Sequence, residues 1–315
     1  MQRDIKFILN KSEIGAGARG ASMGIDALMM AAINKESSFF KNTPSITINH
    51  QNHILMEPTN FKWAKHIDVL VDIYEDVCAS VSEVLRDKKF PIIISGDHSS
   101  AGGSVAGIKH AYPNKRLGII WIDAHADLHS PYTSPSGNVH GMPLATILNE
   151  DNKKFDLGDV KEETKQRWEK LKQVGGISPK VRPEDLIFIG VRDTEKEEDY
   201  LIEKLNITNY TPEQLRQKGI EEVISEIKNQ KLKDCDIIYV SFDVDSMDCM
   251  EVSYGTGTPV ENGLWEREVK QILSALIKWD KIVGLEITEI NPLLDDKKNK
   301  MAETTLEILE FALDR

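Results

Sequence analysis

Three apolar runs rich in β-branched residues constrain this chain most: Ile92-Ile93-Ile94, Leu117 to Ile122 and Ile237 to Phe242. Runs without polar alternation read as strands buried on both faces, as in a parallel sheet covered by helices. Each run is followed by a polar cluster: Gly96-Asp97-His98, Asp123-Ala124-His125-Ala126-Asp127 and Asp243-Val244-Asp245. In open α/β sheets ligands bind at the carboxyl ends of the strands. Within Asp-x-His-x-Asp and Asp-x-Asp, a spacing of two sends alternate side chains to one side of an extended backbone. One segment then offers three donors to a single point and another offers two, which is how a chain builds a polynuclear metal site.

The rest of the sequence supplies a frame for that site. Strands are predicted at Ile5-Leu9, Ser45-Ile48, Pro91-Ser95, Leu117-Ile122, Leu186-Val191, Ile207-Tyr210, Ile237-Phe242 and Ile282-Ile287. Helical stretches fall between them at Lys62-Asp87, Ser99-His110, Pro212-Lys228, Glu266-Trp279 and Met301-Leu313. This alternation implies an α/β fold of three αβα layers around a mostly parallel sheet. No Pro/Ser-rich linker interrupts it, so residues 1–315 read as a single domain, with Asn149 to Pro183 as a charged surface excursion. Met1 to Asn10 looks like a first strand rather than a signal peptide. No apolar stretch approaches the roughly 20 residues that span a bilayer. A net charge of −12 argues against nucleic acid and anionic membranes as partners. Three cysteines without CxxC spacing (Cys78, Cys235 and Cys249) suggest reduced thiols and a cytoplasmic protein.

A single Asp after a strand is ordinarily a helix cap or a turn residue, and Asp97 or Asp193 alone is read so. Capping accounts for neither His98 nor His125, nor for the period-two spacing. The remaining donors are oxygen-rich with some nitrogen and no thiolate, which favours Mn²⁺ over a structural zinc, with Fe²⁺, Co²⁺ and Ni²⁺ as rivals. Four ionised Asp residues balance two divalent cations, and a water between two cations would be present as hydroxide near neutral pH.

At this point the chain resembles the ureohydrolase (arginase/agmatinase) family, in four ordered blocks: SGDHS at 95–99, DAHAD at 123–127, SFDVDSMD at 241–248 and GLEITEINP at 284–292. The resemblance implies one domain with a parallel eight-stranded sheet, and two Mn²⁺ ions on His98, Asp123, His125, Asp127, Asp243 and Asp245. It implies hydrolysis of a guanidinium carbon with release of urea, the nucleophile being metal-bound hydroxide. Glu289 would hold the guanidinium group, Asp127 would carry the proton from the attacking water to the leaving nitrogen, and His140 would act as proton shuttle or acid. The loop Ser134 to Gly141 is similar to that of arginases, which points to L-arginine, with Ser136 and Asn138 meeting its carboxylate and Thr258 on the substrate side. Family members are often trimers or hexamers, so a homo-oligomer is expected, without a long bridging tail after the last helix.

Two departures lie at the amino-acid end of the substrate. Where arginases carry an acidic residue for the α-amino group, usually Asp, this chain has Glu195; where they carry Asn after the DAHxD block, it has His129. The alternative within the family is a ureohydrolase acting on agmatine, guanidinobutyrate or formiminoglutamate. A non-catalytic member is disfavoured by the complete ligand set with Glu289 and His140, and a histone-type deacetylase by Glu289 and the DAHxD spacing. Gly15-Ala16-Gly17-Ala18-Arg19-Gly20 fits a dinucleotide-binding motif, but Lys11 to Ile14 separates it from the strand and misplaces the tight turn. Arg19 is read instead as an anion contact at a helix start, and Cys249 as a turn residue.

Overall fold

The computed structural model describes residues 3–314; Met1 and Gln2 of the expected first strand lie outside them. The chain runs β1 (Ile5–Asn10), α1 (Gly24–Asn34), β2 (Ser45–Thr47), α2 (Ile67–Arg86), β3 (Phe90–Ser95), α3 (Ala101–Ala111) and β4 (Leu117–Ile122). It continues through α4 (Pro143–Leu148), α5 (Glu162–Gln173), β5 (Leu186–Ile189), α6 (Lys196–Lys204), β6 (Thr208–Tyr210), α7 (Pro212–Lys218) and α8 (Ile220–Glu226). It ends with β7 (Ile237–Asp243), α9 (Glu266–Ile277), β8 (Ile282–Thr288) and α10 (Lys300–Leu313).

The eight strands form one sheet in the order β2-β1-β3-β8-β7-β4-β5-β6. Every pairing is parallel, so the sheet goes beyond the mostly parallel expectation. The strand runs split by parity between two cores. Ile92, Ile94, Ile120, Ile122, Val240 and Phe242 pack with α1, α9 and α10 on one face. Ile93, Ile119, Trp121 and Tyr239 pack with α2, α3 and α5 on the other. Both faces being covered is why these runs are apolar at nearly every position, Ser241 of β7 being the exception.

Three expectations are corrected. The helix predicted over Pro212–Lys228 is broken at Gly219, whose φ of 90° ends α7 and starts α8. The helix predicted from Lys62 begins at Ile67, because His66 sits in the left-handed region with a φ of 54°. The segment Asn149 to Pro183 is no mere surface excursion: Trp168 and Leu171 of α5 are fully buried in the α2-side core.

Candidate metal centre and substrate pocket

The strand order puts β3, β8, β7 and β4 side by side, so the segments leaving their carboxyl ends converge. The Glu289 N–H donates to the Gly96 carbonyl at 3.1 Å, tying the ends of β8 and β3 together. Asp127 and Glu289 both hold positive φ, 51° and 67°. Such backbone costs about 1–3 kcal/mol in a residue other than glycine and clusters at functional sites.

Two groups of donor atoms face one another here: His98, Asp123 and Asp243 in one, Asp123, His125 and Asp245 in the other. His98 Nδ1 lies 3.0 Å from Asp123 Oδ2 and 3.1 Å from both Asp127 Oδ2 and Asp243 Oδ2. His125 Nδ1 lies 3.0 Å from Asp245 Oδ2 and 3.5 Å from Asp123 Oδ1. Asp123 belongs to both groups. His98 Nδ1, Asp123 Oδ2 and Asp127 Oδ2 are buried and make no hydrogen bond among the described residues. Buried polar atoms are normally satisfied, so lone pairs left aimed at a common point fit a pair of divalent cations.

The surrounding side chains orient these donors. His98 Nε2 is 2.7 Å from Ser241 Oγ, and the His98 ring stacks on Trp121 with centroids 4.1 Å apart. Ser241 and Trp121 each stand two residues before a candidate ligand, Asp243 and Asp123, so period two sends them to the ligand's side. Sequence reasoning passed over both, although the spacing that selected the aspartates also marks them. Thr258 Oγ1 donates to Asp245 Oδ2 at 3.0 Å. Asp97 acts as the expected cap, accepting from the Ser99 N–H, and also takes the Gly15 N–H at 2.8 Å. Asp193 is not a cap; it lies 3.6 Å from His125 Nε2.

Electrostatics among the protein groups are strongly perturbed. Burial and the neighbouring Asp123 push the Asp127 carboxyl up to about 7. Burial raises Asp243 as well, reinforced by Asp245. Burial opposes charge on His140, but its hydrogen bond to Glu289 outweighs that and brings it to about 9. Glu289 is buried, not a surface residue, and its Oε1 accepts from the His98 N–H at 3.0 Å and lies 3.1 Å from His140 Nδ1.

These residues line one end of a pocket of about 260 Å³; His129, Ser134, Ser136, Asn138, Glu195, Glu198 and Thr258 line it too. His129 is buried, which lowers its pKa, and Glu195 only partly opposes that. Its Nδ1 lies 3.1 Å from Thr133 Oγ1, which also accepts the Ser130 N–H. Its Nε2 lies 3.2 Å from Glu195 Oε2 and 3.6 Å from Glu198 Oε2. Glu198 itself is buried and accepts the Leu128 and Glu195 N–H groups, which fixes α6 against the metal-side loop.

The glycine-rich segment supports the site. The His140 N–H donates to the Gly15 carbonyl at 3.1 Å. A Cβ on Gly17 would lie 2.6 Å from Asn138 Nδ2. Arg19 is no anion contact: its guanidinium donates to the Glu13 and Ala16 carbonyls at 2.6 and 2.9 Å. Cys249 is buried and outside both donor groups, and the three cysteines form no disulfide. Among the described residues no helix is long and apolar enough to cross a membrane.

Comparison with known proteins agrees with this geometry. The model of the arginase family matches residues 4–313. The arginase of Bacillus subtilis (strain 168) is 33% identical over 319 residues, covering 100% of this chain and 99% of that protein. The native structure of Bacillus caldovelox arginase superposes with a TM-score of 0.84 at 30% identity, covering 99% of each chain. The Entamoeba histolytica arginase in complex with L-ornithine superposes with a TM-score of 0.84 at 26% identity, covering 100% of this chain and 99% of that one. On the family match and these full-length likenesses, the chain belongs to the arginase family.

Proposed function

We propose that this protein hydrolyses L-arginine to L-ornithine and urea, using two divalent cations held by His98, Asp123, His125, Asp127, Asp243 and Asp245. The observation that carries this reading is Asp123, shared by two carboxylate–imidazole groups whose other members, His98, Asp243, His125 and Asp245, line a pocket together with Glu289 and His140. Mn²⁺ is the cation assigned, because the donors are carboxylate and imidazole without sulfur. Bound there, the cations supply Lewis acidity and lower the pKa of water.

The chain's own groups do the rest. Glu289 Oε1 is taken by the His98 N–H and by His140, while Oε2 accepts no hydrogen bond among the described residues. That free oxygen suits the cationic guanidinium, which a charge-assisted hydrogen bond holds in line for attack. As the water oxygen adds to the guanidinium carbon, Asp127 takes its proton and delivers it to the departing nitrogen. The carbon–nitrogen bond to the side chain then breaks, and the second proton of the water passes from the added hydroxyl to the departing amine, leaving urea and the side-chain ammonium of L-ornithine. His140, tied to Glu289, exchanges protons between the pocket and solvent. Ser136 and Asn138 meet the carboxylate of the amino acid, and Glu195 meets its ammonium group.

A second reading is favoured by one observation, the His129–Glu195 contact, which occupies the amino-acid end of the pocket. It makes agmatine or guanidinobutyrate the substrate. Urea release from Mn²⁺-loaded protein with L-arginine, agmatine and guanidinobutyrate separates the two: turnover of L-arginine is expected, and turnover of another guanidine alone overturns the assignment. The reading takes the chain as one ureohydrolase domain assembled as a trimer or hexamer in the cytoplasm. The family match along residues 4–313 supports the first point, the family's habit the second, and three buried free thiols the third. Sedimentation tests the assembly.

A further inference from the structure

Beyond the three carboxylates assigned to the cations, the pocket lining contains four more, Asp193, Glu195, Glu198 and Glu289, and among the described residues neither lysine nor arginine. An amino-acid substrate brings a carboxylate into that field, and like charges repel unless a cation compensates. A cation stands directly behind the wall. Lys65 Nζ donates to Asn138 Oδ1 at 2.9 Å, and the Lys65 backbone N–H donates to the Gly137 carbonyl at 2.8 Å. Among the described residues Lys65 forms no ion pair, and the carboxamide oxygen is the partner of its half-buried ammonium.

An ammonium group has donors only, so this contact fixes which end of the Asn138 carboxamide is oxygen. The amide nitrogen lies at the other end, beside Gly17, and makes no hydrogen bond within the protein among the described residues. A positive charge on the oxygen polarises the amide and strengthens its N–H groups as donors. The arrangement is an unpaired donor on a residue that lines the pocket, with a cation at the far end of its carboxamide.

We propose that Lys65 is a positioning residue that acts through Asn138 and makes the pocket prefer guanidino compounds bearing a carboxylate. The inference rests on the reading that Asn138 meets that carboxylate. Lys65 could instead be a staple for the loop, but three other contacts already fix the loop and survive loss of the side chain. They are the Lys65 N–H to Gly137, the Gly137 N–H to Ser134 Oγ at 2.9 Å, and the Asn138 N–H to Ser136 Oγ at 3.1 Å.

The experiment compares Mn²⁺-loaded wild type with Lys65→Met, Lys65→Arg, Asn138→Ala and the double variant Lys65→Met/Asn138→Ala. It reads kcat and KM for L-arginine, and inhibition constants for L-ornithine and for putrescine, which lacks the carboxylate. Lys65→Met should raise the L-arginine KM and the L-ornithine constant roughly fivefold, the scale of one hydrogen bond, with kcat and the putrescine constant unchanged. Lys65→Arg should restore both, and Lys65→Met should add nothing once Asn138 is Ala. Equal weakening of L-ornithine and putrescine, or no change in either, overturns the proposal while wild-type turnover of L-arginine leaves the function standing. If wild type releases no urea from L-arginine, both fall.

Discussion

Replacing the shared carboxylate, Asp123→Ala, removes a donor from both metal groups at once, whereas Asp243→Ala and Asp245→Ala each remove a donor from one. The difference is measurable as thermal stabilisation by Mn²⁺. A ligand at a hundredfold excess over its Kd adds about 2.7 kcal/mol to the folded state. A chain of 315 residues unfolds with an entropy of about 0.66 kcal/mol per kelvin. Two occupied sites therefore raise the Tm of wild type by about 8 °C. Asp243→Ala and Asp245→Ala should keep about half of that shift, and Asp123→Ala should keep less than about 2 °C. Differential scanning calorimetry with and without EDTA gives the shifts, and metal analysis after desalting gives the stoichiometry. A full shift in Asp123→Ala, or one ion per chain in wild type, would refute the view that one carboxylate serves two cations.

Three further outcomes follow from separate parts of the fold. Glu195→Asp shortens the side chain by one methylene and breaks its 3.2 Å contact with His129; kcat/KM for L-arginine should rise roughly three- to tenfold, the scale of one regained hydrogen bond, and an unchanged value rejects Glu195 as an α-amino contact. Gly137 has a φ of 74°, and a Cβ there would lie 2.1 Å from the Lys62 carbonyl oxygen. Gly137→Ala should cost about 2 kcal/mol or more and raise the L-arginine KM, and wild-type Tm and KM together would contradict this. Lys180 is buried, which lowers its ammonium to about 8, and it donates to the Lys172 carbonyl at 2.7 Å. Because its folded pKa lies below the unfolded value, its charge costs stability in full below pH 8, and the cost fades as pH rises towards 10.5. Urea titrations should show wild type gaining about 3 kcal/mol over that window relative to Lys180→Met; parallel pH profiles would exclude the charge penalty.

What could be read from the sequence, and what could not, divides by physical cause. Strands β3 and β4 were legible because burial on both faces leaves no polar residue in Ile92-Ile93-Ile94 or Leu117 to Ile122, and β7 and β8 because a single polar residue, Ser241 or Glu286, interrupts each largely apolar run. The donor set was legible because period two is a local rule. The order β3-β8-β7-β4 was not, since adjacency in a parallel sheet is decided by helix packing far along the chain. Glu289 was therefore marked only by the GLEITEINP block, and what brings it beside His98 is the place of β8 between β3 and β7. Helix α4 escaped notice because it is six residues long, too short for a periodic signal. The His129–Glu195 and Lys65–Asn138 contacts span 66 and 73 positions and belong to no motif.

The metal-side donors sit on or just past strand ends that the sheet ladder pins in place, while Asn138, His129 and Glu195 sit on connections whose backbones run free of the ladder. The molecule therefore separates what it does from what it does it to. Exchange of the 129–138 connection for that of another guanidine hydrolase would leave the strand-end donors in place, whereas the 193–198 connection could be exchanged only with Asp193 and Glu198 kept, since these touch His125 and the Leu128 N–H. It also means that loss of activity towards one substrate says little about whether the strand-end donors are intact.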